Sequence, residues 1–195
     1  MSKTPVVEPA QLPKSATCAL LSSEDIEAVQ GEAVAASQGT EHTGGALVTS
    51  QCFYRLPTYE KSVILEVIRA SPDNPSKDAL KGFMREKYER AEAEHEAEEQ
   101  RERAREKELE REREQGGRRE GGNKEEEERE RGDKSPPKRV SGVGDEAFWA
   151  PHHGTGALFV RRGGVAFTLA VSGGEDRDAK IRRATALARR LLKKL

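Results

Sequence analysis

The chain has 195 residues, enough for one domain or slightly more, and charged residues (35%) outnumber apolar ones (34%), so much of it lies outside any core. Basic and acidic side chains nearly cancel, 34 against 35, which speaks against a polyanion binder on bulk charge. Two cysteines exclude a disulfide-dense scaffold and a four-thiolate zinc site, and no apolar run approaches the ~18 residues of a membrane span.

The near-balance conceals an asymmetry along the chain. Residues 1–84 carry a net charge of −3, residues 85–134 carry −5, and residues 135–195 carry +7. The middle piece holds 35 of the 69 charges with almost nothing to bury beyond Tyr88 and Leu109, and reads as an insertion into a smaller globular protein. The expected organisation is a disordered N-terminal segment over 1–15, the first half of a single α+β domain over 16–91, a Glu/Arg-rich helical arm with a disordered return linker over 92–137, and the second half of the domain over 138–195.

The first element is a short helix. Ser22 followed three residues later by Asp25 has the form of a capping box, and Gly31 supplies the left-handed residue that ends a helix buried through Leu21, Ile26 and Val29. After Gly44-Gly45, the run Ala46–Leu56 reads as a strand with Val48, Cys52, Tyr54 and Leu56 on one face. Ser62–Arg69 reads as a second, antiparallel strand whose near-continuous apolar run predicts cover on both faces. Ser76 caps a helix that enters through Asp78 and presents Leu80, Phe83, Met84, Tyr88 and Ala91 at spacings of three and four.

Beyond Ala91 the apolar stripe ends while oppositely charged pairs continue, such as Glu98 with Arg101 and Glu99 with Arg103, each worth about 0.2–0.5 kcal/mol. These pairs keep an exposed helix partly formed until Gly116-Gly117. Gly121-Gly122, Glu125–Glu128 and Ser135-Pro136-Pro137 then read as the return linker. A dimeric coiled coil would need sustained apolar a/d positions, and Ala93, Ala97, Ala104 and Leu109 are too few. The arm therefore reads as a solvated spacer.

In the last third, a short strand from Arg139 runs into a glycine-flexed loop, Gly142 to Gly156. Ala157–Val171 is a hairpin signal, two β-prone runs around Gly163-Gly164, residues free to take the positive φ of a tight turn. The chain closes with a helix from about Glu175 to Leu195, with Ile181, Ala184, Leu187, Ala188, Leu191, Leu192 and Leu195 on its apolar face. Arg182, Arg183, Arg189, Arg190 and Lys193 stand opposite. A nucleic-acid or anionic-membrane contact is one reading of that basic face. A solvated outer face is the simpler one, because no stacking aromatics are interleaved with the arginines.

Taken in order, Cys18-Ala-Leu-Leu-Ser22, the acidic helix ending at Gly31, the Gln51–Tyr54 strand with its second cysteine, Gly142–Trp149, the hairpin and the Ala-rich terminal helix resemble a group of bacterial secreted or lipid-anchored proteins of unknown function. Their domain resembles the PsbP/LpqN-type α/β sandwich. The likeness spans about Ala16–Met84 and Lys138–Leu195 and leaves the charged arm without a counterpart. It implies an α+β fold with an antiparallel sheet of about five strands and helices packed on it, and a disulfide between Cys18 and Cys52. It also implies an extracytoplasmic setting. Met1-Ser-Lys-Thr-Pro-Val-Val-Glu8 has no apolar signal core, so the expectation is an export signal absent from this chain, or a cytoplasmic protein with reduced cysteines if Met1 is the native start.

Catalytic templates are weak. Gly142-Val-Gly144 and Gly154-Thr-Gly156 lack the full glycine fingerprint and the Lys-Ser/Thr of phosphate cradles, so no cofactor is expected. Asp145, Glu146, His152 and His153 could form a metal-dependent or hydrolytic site, but adjacent loop histidines rarely converge on one ion. A Cys–His nucleophile using Cys18 or Cys52 with His42 is weaker still. The favoured reading is a non-enzymatic binding or accessory domain of the bacterial cell envelope. Its candidate partner-binding loop, for a protein or small ligand, comprises Asp145, Glu146, Phe148, Trp149, His152 and His153. In the competing structural reading, Phe148 and Trp149 plug the sheet edge while Asp145 hydrogen-bonds its own turn.

Overall fold

A computed structural model describes residues 16–44, 46–71, 77–114, 135–152, 155–173 and 176–195. The expectations for 1–15, Gly45, the Ser76 cap, the Gly116-Gly117 stop, the linker through Lys134, His153, Gly154 and Glu175 lie outside these residues.

A 3₁₀ turn (Ala16–Ala19) precedes α1 (Ser23–Gln30). Strands β1 (Ala36–Gly44), β2 (Leu47–Arg55) and β3 (Val63–Ala70) follow, and then the long helix α2 (Lys77–Glu114). After it come β4 (Lys138–Arg139), β5 (Glu146–Ala150), β6 (Ala157–Arg162), β7 (Val165–Val171) and α3 (Arg177–Leu191). All strands join one antiparallel sheet in the order β1-β2-β3-β7-β6-β5-β4. Strands from before and after the arm meet where β3 pairs with β7, Leu65 opposite Leu169.

The sheet has seven strands rather than about five. The two additional ones are β1, whose Ala-Ser-Gln-Gly-Thr-Glu-His-Thr-Gly sequence has no β-type apolar alternation, and β5, which lies inside the stretch read as a loop. The terminal helix is shorter than expected. Asp176 caps its start by accepting from the Ala179 N–H at 2.8 Å, and its last regular residue is Leu191. The chain turns from Leu192 onward, which leaves Leu195 exposed rather than on the apolar face.

The pleat sends alternate residues to two covered faces. On the first face, Cys52, Tyr54, Leu65, Val67, Trp149, Leu158, Val160, Phe167 and Leu169 pack with Ile26 of α1 and with Ile181, Leu187 and Leu191 of α3. On the second face, Ile68, Phe148, Phe159 and Ala166 receive Leu80, Met84 and Ala91 of α2. The near-continuous apolar run of β3 follows from this two-sided burial, since Val63 and Leu65 face one helix layer and Ile64 and Ile68 the other.

The first-face layer is tied together by directed bonds. Cys18 and Cys52 are joined as a disulfide with Cα atoms 5.2 Å apart, linking the 3₁₀ turn to β2. Closing a loop of this length stabilises by roughly 3–4 kcal/mol in the chain-entropy model. The Tyr54 hydroxyl donates to the carbonyls of Thr17 (3.2 Å) and Cys18 (3.3 Å) beside it, and burial pushes its pKa up to about 12. In the capping box of α1, the Asp25 N–H donates to Ser22 Oγ and the Ser22 N–H to Asp25 Oδ2, both at 3.2 Å.

Candidate functional site

The Gly142–Gly156 segment is held by backbone geometry that only glycine tolerates at two positions. A Cβ on Gly144 (φ +63°) would stand 2.5 Å from the Arg161 carbonyl oxygen, and one on Gly156 (φ +105°) would stand 2.6 Å from the Trp149 ring. The first allows the chain to close on β6, where the Asp145 N–H donates to the Arg161 carbonyl at 2.8 Å. The second allows the indole to lie flush beneath the chain as it enters β6.

Strand β5 separates the two aromatics. Trp149 is fully buried in the first-face core and Phe148 fully buried on the second face. Their placement corrects the reading of both as exposed anchors of a binding loop. Two strand neighbours point to opposite sides of a sheet that is covered on both sides, so neither ring is open to a partner.

The carboxylates are engaged by arginines. Asp145 Oδ2 accepts from the Gly163 N–H at 2.8 Å and lies 3.4 Å from Arg161 Nη1. Glu146 lies 3.5 Å from Arg161 Nε and 3.9 Å from Arg139 Nη1. Asp145 thus braces the β6–β7 turn, and Glu146 is the cross-strand partner of Arg161. The His152 carbonyl accepts from the N–H groups of Thr155 (3.0 Å) and Gly156 (3.1 Å), while its ring meets Phe159 edge-on at 5.6 Å.

Four residues outside the candidate loop set organise this region, of which Tyr88 was already placed by the apolar stripe of its helix. Phe159 stacks on Phe148 with centroids 4.9 Å apart, Tyr88 of α2 meets Phe148 edge-on at 5.1 Å, and the Arg139 guanidinium covers Tyr88 at 4.6 Å. Arg161 is the fourth, gathering both carboxylates. The signal for them was register. Once β5 is paired with β6, Phe148 falls opposite Phe159 and Glu146 opposite Arg161. Of the predicted residues Phe148 helps dock α2 on the sheet, through Tyr88, whereas Trp149 lies in the opposite face and Asp145 braces the β6–β7 turn.

Among the described residues no group of three His, Cys, Asp or Glu side chains is placed to hold a metal ion, and no helix is long and apolar enough to cross a membrane. The disulfide removes the thiol that a Cys–His nucleophile would need, and His42 lies on the exposed strand β1.

The basic face of α3 divides in two. Arg190 (3.3 Å) and Lys194 (2.6 Å) bind the Asp25 carboxylate, and Arg183 donates to Gln30 Oε1 at 3.1 Å. Lys194 foremost, with help from the Ser22 contacts and Arg190, holds the Asp25 carboxyl well below the usual carboxylate range. Arg182, Arg189 and Lys193 remain exposed, and Arg182 with Arg183, Asp176 and Ala179 lines an open groove at the start of α3. No protein-family model, curated protein or solved structure matches the chain.

Proposed function

We propose that this chain is a non-enzymatic accessory domain of the cell envelope, in which a small α+β body carries α2 as a stiff charged spacer. The reading is carried by the placement of α2. Its first turns are clamped to the sheet through Leu80, Met84, Tyr88 and Ala91, and the same helix then continues to Glu114, its side chains exposed from Glu92 to Arg111 apart from the half-buried His95 and Glu98. A flexible tether needs no such root. A spacer does, because its far end is positioned only as well as its base. Arg90 with Glu94 (2.8 Å), Glu98 with Arg101 (4.0 Å) and Glu99 with Arg103 (3.4 Å) support helix where no core does. The Cys18–Cys52 bond supports an oxidising, extracytoplasmic setting.

The test is a distance. Spin labels at positions 94 and 110 of the full chain should give a narrow distribution centred near about 24 Å, the rise of a continuous helix over that span. A broad distribution, even one with a similar mean, would show a flexible tether and overturn the spacer reading.

A further inference from the structure

Strand β1 ends the sheet, and among the described residues nothing pairs with its outer edge. Sheets usually protect such an edge by keeping it short or by placing Lys, Pro or a bulge on it. The opposite edge, β4, is two residues long, whereas β1 runs for nine and holds neither Lys nor Pro. Its charge-bearing side chains are Glu41, which accepts from Ser50 Oγ at 2.8 Å, and the titratable His42.

We propose that β1 is a self-association edge, pairing antiparallel with β1 of a second copy across a two-fold axis through Thr40. Pairing with β2 sets which side chains share a face: Ser37, Gly39, Glu41 and Thr43 stand on the Cys52 side, and Ala36, Gln38, Thr40, His42 and Gly44 on the other. A two-fold axis perpendicular to the sheet keeps those faces, so it must pass through a residue rather than between two. Centring on Thr40 uses the whole strand. It sets Thr40 against Thr40, Ser37 against Thr43, Gln38 against His42 and Gly39 against Glu41, with hydroxyl pairs of the kind that stabilise neighbouring strands and no like charges opposed. A centre at Glu41 would oppose the two carboxylates. A centre at Gly39 would shorten the overlap. A foreign peptide adding to an edge draws its specificity from pockets for alternate side chains, and the exposed small polar residues of β1 form none. The occupant that matches β1 residue by residue is β1 itself.

Sedimentation equilibrium on the full chain tests this. The wild type should show a reversible monomer–dimer equilibrium, and amide exchange along β1 should slow as concentration rises. Thr40→Lys and Thr40→Glu, each placing like charges face to face at the axis, should weaken dimerisation roughly fivefold or more. An equimolar mixture of the two should recover a one-to-one heterodimer, which misfolded variants could not do. A wild-type chain that stays monomeric up to about 1 mM overturns the proposal. So does a dimer indifferent to both substitutions, or β1 exchange that ignores concentration, since the contact would then lie elsewhere.

Discussion

Between Asp78 and Ala91, helix α2 turns Leu80, Met84 and Ala91 onto the sheet; between Glu92 and Arg111 every side chain is exposed except the half-buried His95 and Glu98. The backbone is continuous, but the forces holding it are different. In the root, burial of apolar surface fixes the helix and the helix completes the second face of the core. In the arm, intrahelical ion pairs such as Arg90 with Glu94 and Arg103 with Glu99 support a helix whose nucleus is already formed by the root, since extending a helix is far easier than starting one. One element can therefore be part of a core and independent of it, and the change falls where the apolar stripe stops.

The sharpest way to break this comparison is to make the same kind of deletion in both parts. Met84→Ala removes a fully buried side chain from beneath the helix and should cost about 2–5 kcal/mol in urea unfolding. Leu109→Ala removes a side chain that is 57% exposed and should change stability by less than about 0.5 kcal/mol. Equal effects would mean that the arm packs against something.

The boundary was readable because it is a matter of spacing. Leu80, Met84, Tyr88 and Ala91 recur at helical intervals, and no apolar residue continues the series at 95 or 98. The β6–β7 hairpin and the cap of α1 were readable for a related reason: their signals, Gly163-Gly164 and Ser22 with Asp25, are local in sequence and act locally. What escaped was non-local. β1 is a strand because β2 offers it a partner, and no side chain of β1 records that. β5 is short, starts beside two positive-φ glycines and buries residues on both faces, so it lacks the alternation that marks a half-exposed strand. Without β5 the sequence left two readings of Phe148 and Trp149, exposed anchors or packed residues; as strand neighbours they become two core residues on opposite faces.

A second comparison contrasts the ion pairs of the arm with the one between α1 and α3. Arm pairs are exposed and replaceable. Asp25 is largely shielded, receives Lys194 and Arg190, and caps α1 at the same time. Asp25→Asn should cost about 1–2 kcal/mol near neutral pH, most of it from weakened capping and charge-assisted bonds. The pH dependence has a definite sign. The folded-state pKa of Asp25 lies below its unfolded value, so its stabilisation is complete above about pH 4 and is lost as pH falls through the folded value. Glu32, drawn down to about 2 chiefly by Lys61 and also by Thr58, acts in the same direction. Unfolding midpoints measured from pH 7 down to pH 2 should fall less steeply for Asp25→Asn than for the wild type. Parallel curves would remove Asp25 from the acid response.

The smallest effect is the most informative about the arm. Removing Glu92 through Lys134 and joining Ala91 to Ser135 with a short Gly/Ser linker deletes a large share of the charge and leaves untouched every residue of both hydrophobic clusters. The energetic changes that remain are small and oppose one another. A shorter connection lowers the entropy cost of closing the β3–β7 pairing, by only about 0.6 kcal/mol per halving of length. Against this, α2 loses its C-terminal continuation, so its last docked turn must end at Ala91 with unpaired carbonyls. Tyr88 is held between Phe148 and the Arg139 guanidinium one turn before that end, which keeps fraying away from Met84. The shortened protein should therefore unfold cooperatively with a thermal midpoint within a few degrees of the full chain. A large drop in midpoint, or a loss of cooperativity, would place part of the core's stability in the arm and erase the distinction between root and spacer.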